Sequence, residues 1–316
     1  MLSADKRSRL RRVIAVMNRK GGVGKTSITS NLAGVLAQAG YKVLAIDLDQ
    51  QGNLGDDLGY RHTDYNDHGA ALFFALNSGT PLAPAKGIRE NLDVVPAGEQ
   101  TALLADTLTG RQRRNEDPSF GLADKLAEIA DQYDIVLIDC PPGDTAIQTQ
   151  ALVAARWILI PTQPDSGSLN GLEQLAREVI ATQPKNPTIM PLGAVLFPID
   201  SRAKRMKARK HEEIREIMGD LAPVFTTSIR FSQTSGVDSR DRGQLAIELA
   251  RDAEEQDPFA WAKALKARKA GETVEETPSQ RISDSAGSLA EDYVELTGEI
   301  LQALAAHENS PAGEVA

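Results

Sequence analysis

The sequence predicts an α/β fold: a doubly wound, mainly parallel sheet flanked by helices. Three observations predict it. Short apolar runs alternate with stretches of helical period along the 316 residues. The runs are apolar at successive positions rather than at every second one, as in Ile135-Val136-Leu137-Ile138, which is the pattern of strands covered on both faces. The first run is followed by a glycine-rich turn, a helix and a second run, a βαβ unit that implies parallel strands joined by a right-handed crossover.

The elements follow in order. Strands are expected over 13–18, 42–47, 92–96, 134–139, 156–161 and 191–197, and over 223–229, where the apolar pattern is thinner. Helices are expected over 25–39, 69–77, 99–108, 119–131, 144–154, 168–182 and 203–218. Gly40 supplies a C-terminal cap for the first of them. Over 285–306, Leu289, Tyr293, Leu296, Ile300 and Leu304 recur on one helical face. Between these helices, 271–284 is polar and interrupted by proline and glycine, the composition of a loop.

Composition narrows the function. Hydrophobic residues are 41% and charged residues 25%, ordinary for a globular protein. No run approaches the roughly 20 apolar residues of a membrane-spanning helix. Residues 1–12 form a basic arm with Lys6, Arg7, Arg9, Arg11 and Arg12, but lack the apolar core of a secretory signal. The one cysteine, Cys140, allows no internal disulfide and no cysteine-rich metal site, so a reducing cytoplasm is the expected location. His62, His68, His211 and His307 show no ligand spacing.

The formal net charge of −9 is unevenly spread. Residues 271–316 hold ten acids and one base, so the rest of the chain is neutral. Within that neutral part, 201–215 carries seven bases and two acids, a local anion-binding face.

The segment Lys20-Gly21-Gly22-Val23-Gly24-Lys25-Thr26 lies directly between a strand and a helix. Glycines let the backbone curl so that successive N–H groups point at phosphate oxygens, and the helix N-terminus adds positive potential. In this pattern Lys25 reaches the β and γ phosphates and Thr26 ligates Mg²⁺ through its hydroxyl. The first glycine of G-x-x-x-x-G-K-[ST] would fall at position 19, where Arg19 stands, and a second lysine, Lys20, precedes the glycines. The second strand ends in Asp47-Leu48-Asp49-Gln50-Gln51-Gly52-Asn53, and on a strand the i and i+2 carboxylates face the same way. The run 135–138 ends in Asp139, followed by Cys140-Pro141-Pro142. A carboxylate closing a buried strand beside the phosphate loop can hold Mg²⁺.

Together these motifs resemble the signature-lysine phosphate-loop ATPases of the ParA/MinD family, and most closely the ParA-type partition ATPases. Residues 91–98, 159–172 and 285–301 are similar to further segments of that family. The resemblance implies one ATPase domain over 13–306, with an insertion or loop at 246–284, a closing helix at 285–306 and a disordered tail at 307–316. With only about twelve residues ahead of the first strand, no fused N-terminal DNA-binding domain is expected. Gln50 stands where the family usually has proline.

The resemblance also implies roles. Nucleotide is bound by Lys20, Gly21, Gly22, Val23, Gly24, Lys25, Thr26 and Ser27, and Mg²⁺ by Thr26, Asp47 and Asp139. Asp49 positions or activates the attacking water. Lys20 reaches across an ATP-bound homodimer to the partner's nucleotide and, with Lys25, completes the catalytic set. ATP-bound dimers of the family bind double-stranded DNA without sequence preference, associate with the nucleoid, and hydrolyse ATP slowly under stimulation by a ParB-like partner. The candidate DNA surface is Arg202, Lys204, Arg205 and Arg209, joined by Lys207 and Lys210, with Arg230, Arg240 and Arg242 extending it. Asp200 is a candidate for base contact. The alternative is a related ATPase that positions a protein cargo instead of plasmid or chromosomal DNA. MinD relatives end in a basic membrane-binding helix; here the last helix carries Glu291, Asp292, Glu295 and Glu299, the wrong sign for anionic lipid.

Overall fold

The computed structural model describes residues 1–163, 166–199, 204–219, 222–230, 232, 239–255 and 286–309. At its centre β1 (Val13–Val16) runs parallel to β5 (Ile135–Asp139) on one side and to β6 (Trp157–Thr162) on the other. β2 (Val43–Asp47) and β4 (Leu92–Val95) continue the sheet past β5; β7 (Met190–Ile199) and β8 (Val224–Arg230) continue it past β6. The order is β3-β4-β2-β5-β1-β6-β7-β8, and every pairing is parallel except that of β3 (Ala85–Arg89) with β4. All positions of β1, β2, β5 and β6 are buried, because helices cover both faces of the sheet.

Each face has its own core. One packs Met17, Leu72, Leu104, Leu122, Ile147 and Leu175 beneath α4 (Ala70–Ser78), α5 (Glu99–Arg113), α6 (Gly121–Leu126), α7 (Thr145–Ala154) and α8 (Ser166–Thr182). The other packs Ile28, Leu32, Leu36, Leu245, Leu296 and Ile300 beneath α2 (Lys25–Gln38) and the long α11 (Ala286–Glu308). Gly40, at φ +90°, follows α2 and turns the chain back into β2. Among the described residues no helix is long and apolar enough to cross a membrane.

Several elements depart from the expectations. The basic segment 1–12 contains a short helix, α1 (Ala4–Arg9), whose N-terminus is capped by the Ser3 hydroxyl. Its bases are engaged: Lys6 pairs with Asp124, and Arg7 donates to the carbonyls of Val153 and Lys185. The helix expected over 119–131 is α6 followed by a separate 3₁₀ turn at Ala130–Gln132. β3 is a polar edge strand without apolar alternation, held by Gly87 N–H and Lys86 donating to Asp93. The segment 246–284, expected as an insertion or loop, begins as a helix, α10 (Ala246–Glu255). Ala246 and Leu249 are buried there and Ala253 packs against Leu249, the i, i+3, i+7 stripe of an amphipathic helix. Residues 256–285 and 310–316 lie outside the described residues.

The parallel register brings the chemistry together. Asp139 is the Cα partner of both Val16 and Asp47, so three neighbouring strands end in line. The phosphate loop leaves the first, and carboxylates close the other two. α3 (Asn53–Asp57) begins the return from β2, and α9 (Lys204–Met218) lies between β7 and β8.

Candidate functional site: a phosphate loop between two buried carboxylates

The loop starts on a buried asparagine. Asn18 Nδ2 donates to the carbonyl of Pro161 at 2.8 Å, and its Oδ1 accepts from Lys20 N–H at 3.0 Å, which fixes the exit from β1 against β6. Gly22 and Gly24 then take φ +74° and +84°, a region closed to most side chains. Gly24 caps α2. A Cβ there would run into the ring of Phe197 on β7, whereas a Cβ at Gly21 or Gly22 would meet open space. The N–H groups of the first turn of α2, which includes Thr26 and Ser27, have no acceptor within the helix and suit an anion. Val23 is buried and anchors the loop.

Both lysines are held in place. Lys25 is 7% exposed, and its ammonium donates to the Lys20 carbonyl at 2.9 Å. Burial lowers its pKa, and the charge of Asp139 works against that shift. Lys20 donates to Gln163 Oε1 at 2.7 Å, and Gln163 Nε2 donates to the Gly22 carbonyl at 3.3 Å. An amide just past β6 thus links Lys20 to the crest of the loop.

The carboxylates divide the work. Both oxygens of Asp139 are buried and neither accepts a hydrogen bond. Burial raises its pKa to about 7, the Thr26 hydroxyl and the Lys25 charge pull it down, and Asp49 pushes it up again. The Thr26 hydroxyl is close enough to act on the carboxyl without completing a hydrogen bond to either oxygen. A hard, unpartnered carboxylate beside a hydroxyl and a phosphate loop fits Mg²⁺, which takes one or two carboxylates and fills its octahedron with waters and substrate oxygens. Among the described residues no cluster of three or more His, Cys, Asp or Glu offers a cage made of protein alone.

Asp47, which the family resemblance places near the metal, stands beside Asp139 and is already engaged by the backbone. Its oxygens accept from the N–H groups of Asp49 at 2.8 Å and Leu54 at 3.3 Å. It staples the turn after β2, and burial, then the charge of Asp139, raise its pKa well above the usual range. Nor do Asp47 and Asp49 share a strand face: β2 ends at Asp47, Asp49 lies in the turn, half-exposed, and its Oδ1 accepts from Gln51 N–H. Asp49 opens on a cavity of about 170 Å³ walled by Gln50, Gln51, Pro141, Pro142 and Asp144.

The basic residues whose side chains are described differ in their partners. On α9 the Arg209 side chain is 81% exposed and pairs with Glu213, and Arg215 pairs with Glu212. Lys204 and Arg205 lie on its first turn. Arg202 and Asp200 fall outside the described residues. Arg230 is paired: Nε and Nη2 form a fork on Asp292 at 2.7 and 2.8 Å, and its backbone N–H donates to the same carboxylate. Arg240 is committed to the buried Asp57 at 3.1 Å. The sequence suggests both as extensions of the patch, and each is paired with an acid distant in sequence. Gln163 and Phe197 are site residues that the sequence does not single out. Their roles arise from the β1–β6 and β6–β7 adjacencies, which no local spacing encodes.

Fold and site define a P-loop nucleoside triphosphatase. A family model described as an AAA domain matches residues 11–190. The chromosome partitioning protein ParA of Myxococcus xanthus is 35% identical over 211 residues, 66% of this chain and 71% of that protein. The sporulation initiation inhibitor protein Soj of Bacillus subtilis is 30% identical over 256 residues, 76% of this chain and 97% of that one. Among solved structures, the septum site-determining protein MinD of Pyrococcus horikoshii, complexed with Mg-ADP, shares the fold at a TM-score of 0.60. It is 21% identical, and the match covers 92% of this chain and 95% of that one. The chain belongs to the ParA/MinD family of P-loop ATPases.

Proposed function

We propose that this ATPase is a dimerising switch that binds duplex DNA without sequence preference and partitions a plasmid or chromosome with a ParB-like partner. The observation that carries the reading is the second lysine: Lys20 stands ahead of the glycines and is held at the crest of the loop by Gln163. In this reading Lys20 leaves Gln163 to reach the partner subunit, while Lys25 serves the phosphates of its own subunit. The partition proteins among the relatives support the DNA cargo.

In this reading Lys25 and the loop N–H groups hold the triphosphate, and Thr26 and Asp139 hold magnesium. The ion supplies charge neutralisation on the β and γ phosphates when bound. Asp47 keeps the turn after β2 in register so that Asp49 faces the attacking water. Lys20 releases Gln163 and neutralises charge on the partner subunit's γ-phosphate, the role of an arginine finger. Hydrolysis is slow until the ParB-like partner binds.

One observation favours a second reading, in which the cargo is a protein. The C-terminal half of α9 is balanced by Glu212 and Glu213, and Arg230 is neutralised by Asp292, which reduces the cationic face. Binding to random-sequence duplex DNA with ATP, ADP and no nucleotide, across a salt series, separates the two. The DNA reading predicts ATP-only binding that weakens steeply with salt. Absence of binding from a chain that still hydrolyses ATP would leave the protein-cargo reading.

A further inference from the structure

Arg19 occupies the position of the first glycine in the general phosphate-loop pattern. Its backbone has no positive φ, so the loop does not need a glycine there, and the side chain can take a role of its own. It is put to use on two helices. Nη1 donates to Gln148 Oε1 on α7 at 3.3 Å and to Glu178 on α8. Gln148 is 1% exposed, and its Nε2 donates to the Pro141 carbonyl at 2.7 Å. Pro141 is two residues beyond Asp139. The second oxygen of Glu178 is buried without a partner, which leaves Arg19 as the group that satisfies this carboxylate.

We propose that Arg19 is a positioning residue: a strut that ties the phosphate loop, through Gln148, to the segment leaving Asp139, with Glu178 anchoring its guanidinium. The inference rests on the proposed role of Asp139 as the magnesium-side carboxylate. A guanidinium suits the task because one Nη1 nitrogen carries two N–H donors and so serves both acceptors. The loop side of the strut is Lys20, the next residue, whose carbonyl receives the Lys25 ammonium. The far side is the chain from Pro141 into α7. Displacement of Lys25 toward a γ-phosphate is therefore felt at 141–148 through two hydrogen bonds, one part-buried and one buried, without any contact between nucleotide and α7. An ordinary surface ion pair of Arg19 and Glu178 would have no such reach. Against that simpler view stand the burial of Gln148 and the side-chain exposures of Arg19 and Glu178, 23% and 22%.

Backbone hydrogen exchange tests the strut on the full chain with magnesium, in ADP and in a non-hydrolysable ATP analogue. In the wild type, the peptide 139–150 should exchange more slowly with the analogue than with ADP. Arg19→Ala should lose about tenfold of that difference, the scale of one charge-assisted hydrogen bond, while the peptide 20–30 stays protected by either nucleotide. Gln148→Leu should show the same loss, and the double variant no more, because both remove one strut. In steady-state assays Arg19→Ala should lower kcat about tenfold and leave the KM for ATP within about twofold. If Gln148→Leu does not fold, Arg19→Ala carries the test alone, since its side chain is not core. A wild-type nucleotide response in Arg19→Ala overturns the strut and leaves the magnesium role of Asp139 standing. A wild-type chain whose 139–150 exchange ignores the γ-phosphate overturns both.

Discussion

Asp139 ends a strand buried on both faces, and neither of its oxygens has a hydrogen-bond partner. Burial raises its pKa to about 7, and its neighbour Asp47 is raised as well. A carboxyl raised in the fold gives full stability below its unfolded value near 4 and loses it as pH rises through the raised value. Without nucleotide and magnesium, the urea midpoint should therefore fall between about pH 4 and pH 7. Asp139→Asn should flatten that fall, and Mg-ATP should restore the wild-type midpoint at neutral pH. A midpoint that stays level in the wild type would refute the assignment. Gly24 gives a second residue-scale prediction. Its φ of +84° and the Phe197 ring in the path of any Cβ mean that Gly24→Ala should cost about 1–3 kcal/mol of stability and weaken ATP binding. Equilibrium denaturation and a fluorescent ATP analogue would check both. At this scale the sequence named the loop and the strand-end carboxylates as candidates, because glycine-rich backbone and a carboxylate closing an apolar run leave local signatures; that three neighbouring strands bring them together is visible only in the fold. The backbone bonds that Asp47 accepts were not foreseen, because they depend on where β2 stops, and Gln148 and Gln163 act across sequence separations of seven to 143 residues.

Among the elements, those with long apolar runs or strong helical period were readable from sequence to within a few residues, apart from the split of 119–131 and the extension of α5 to Arg113. The ones missed are short or polar. β3 gains its place from pairing with β4 and from Asp93 rather than from its own composition. α1 is six residues long, too short to show a period, and is held by Ser3 and by contacts with α6 and α7. α9 carries the element-scale prediction. Arg209 projects into solvent, so under the proposed DNA-partition reading Arg209→Ala should weaken DNA binding by the proposed ATP-bound dimer. With two copies lost, the slope of log affinity against log salt should flatten by about 2. Arg230→Ala should leave that slope unchanged and instead destabilise the fold by about 1–3 kcal/mol, because it strands the Asp292 carboxylate. An unaltered slope in Arg209→Ala would remove α9 from the DNA surface.

At the scale of the whole molecule, the alternation of strands and helices was enough for a doubly wound sheet, but not for its order. The central position of β1, between β5 and β6, is a long-range outcome that places the phosphate loop beside Asp139. That placement sets the phosphate loop beside two buried carboxylates, with Lys20 bound to Gln163. In the proposed cycle everything turns on Lys20 completing the partner's site in an ATP-bound dimer. Sedimentation velocity with ATP tests this most directly, with Asp49→Ala used to block hydrolysis. Asp49→Ala should sediment as a dimer with ATP and as a monomer with ADP, while Lys20→Ala in the same background should bind ATP and remain a monomer. Dimerisation of that double variant as strong as that of Asp49→Ala alone would contradict the proposed role of Lys20.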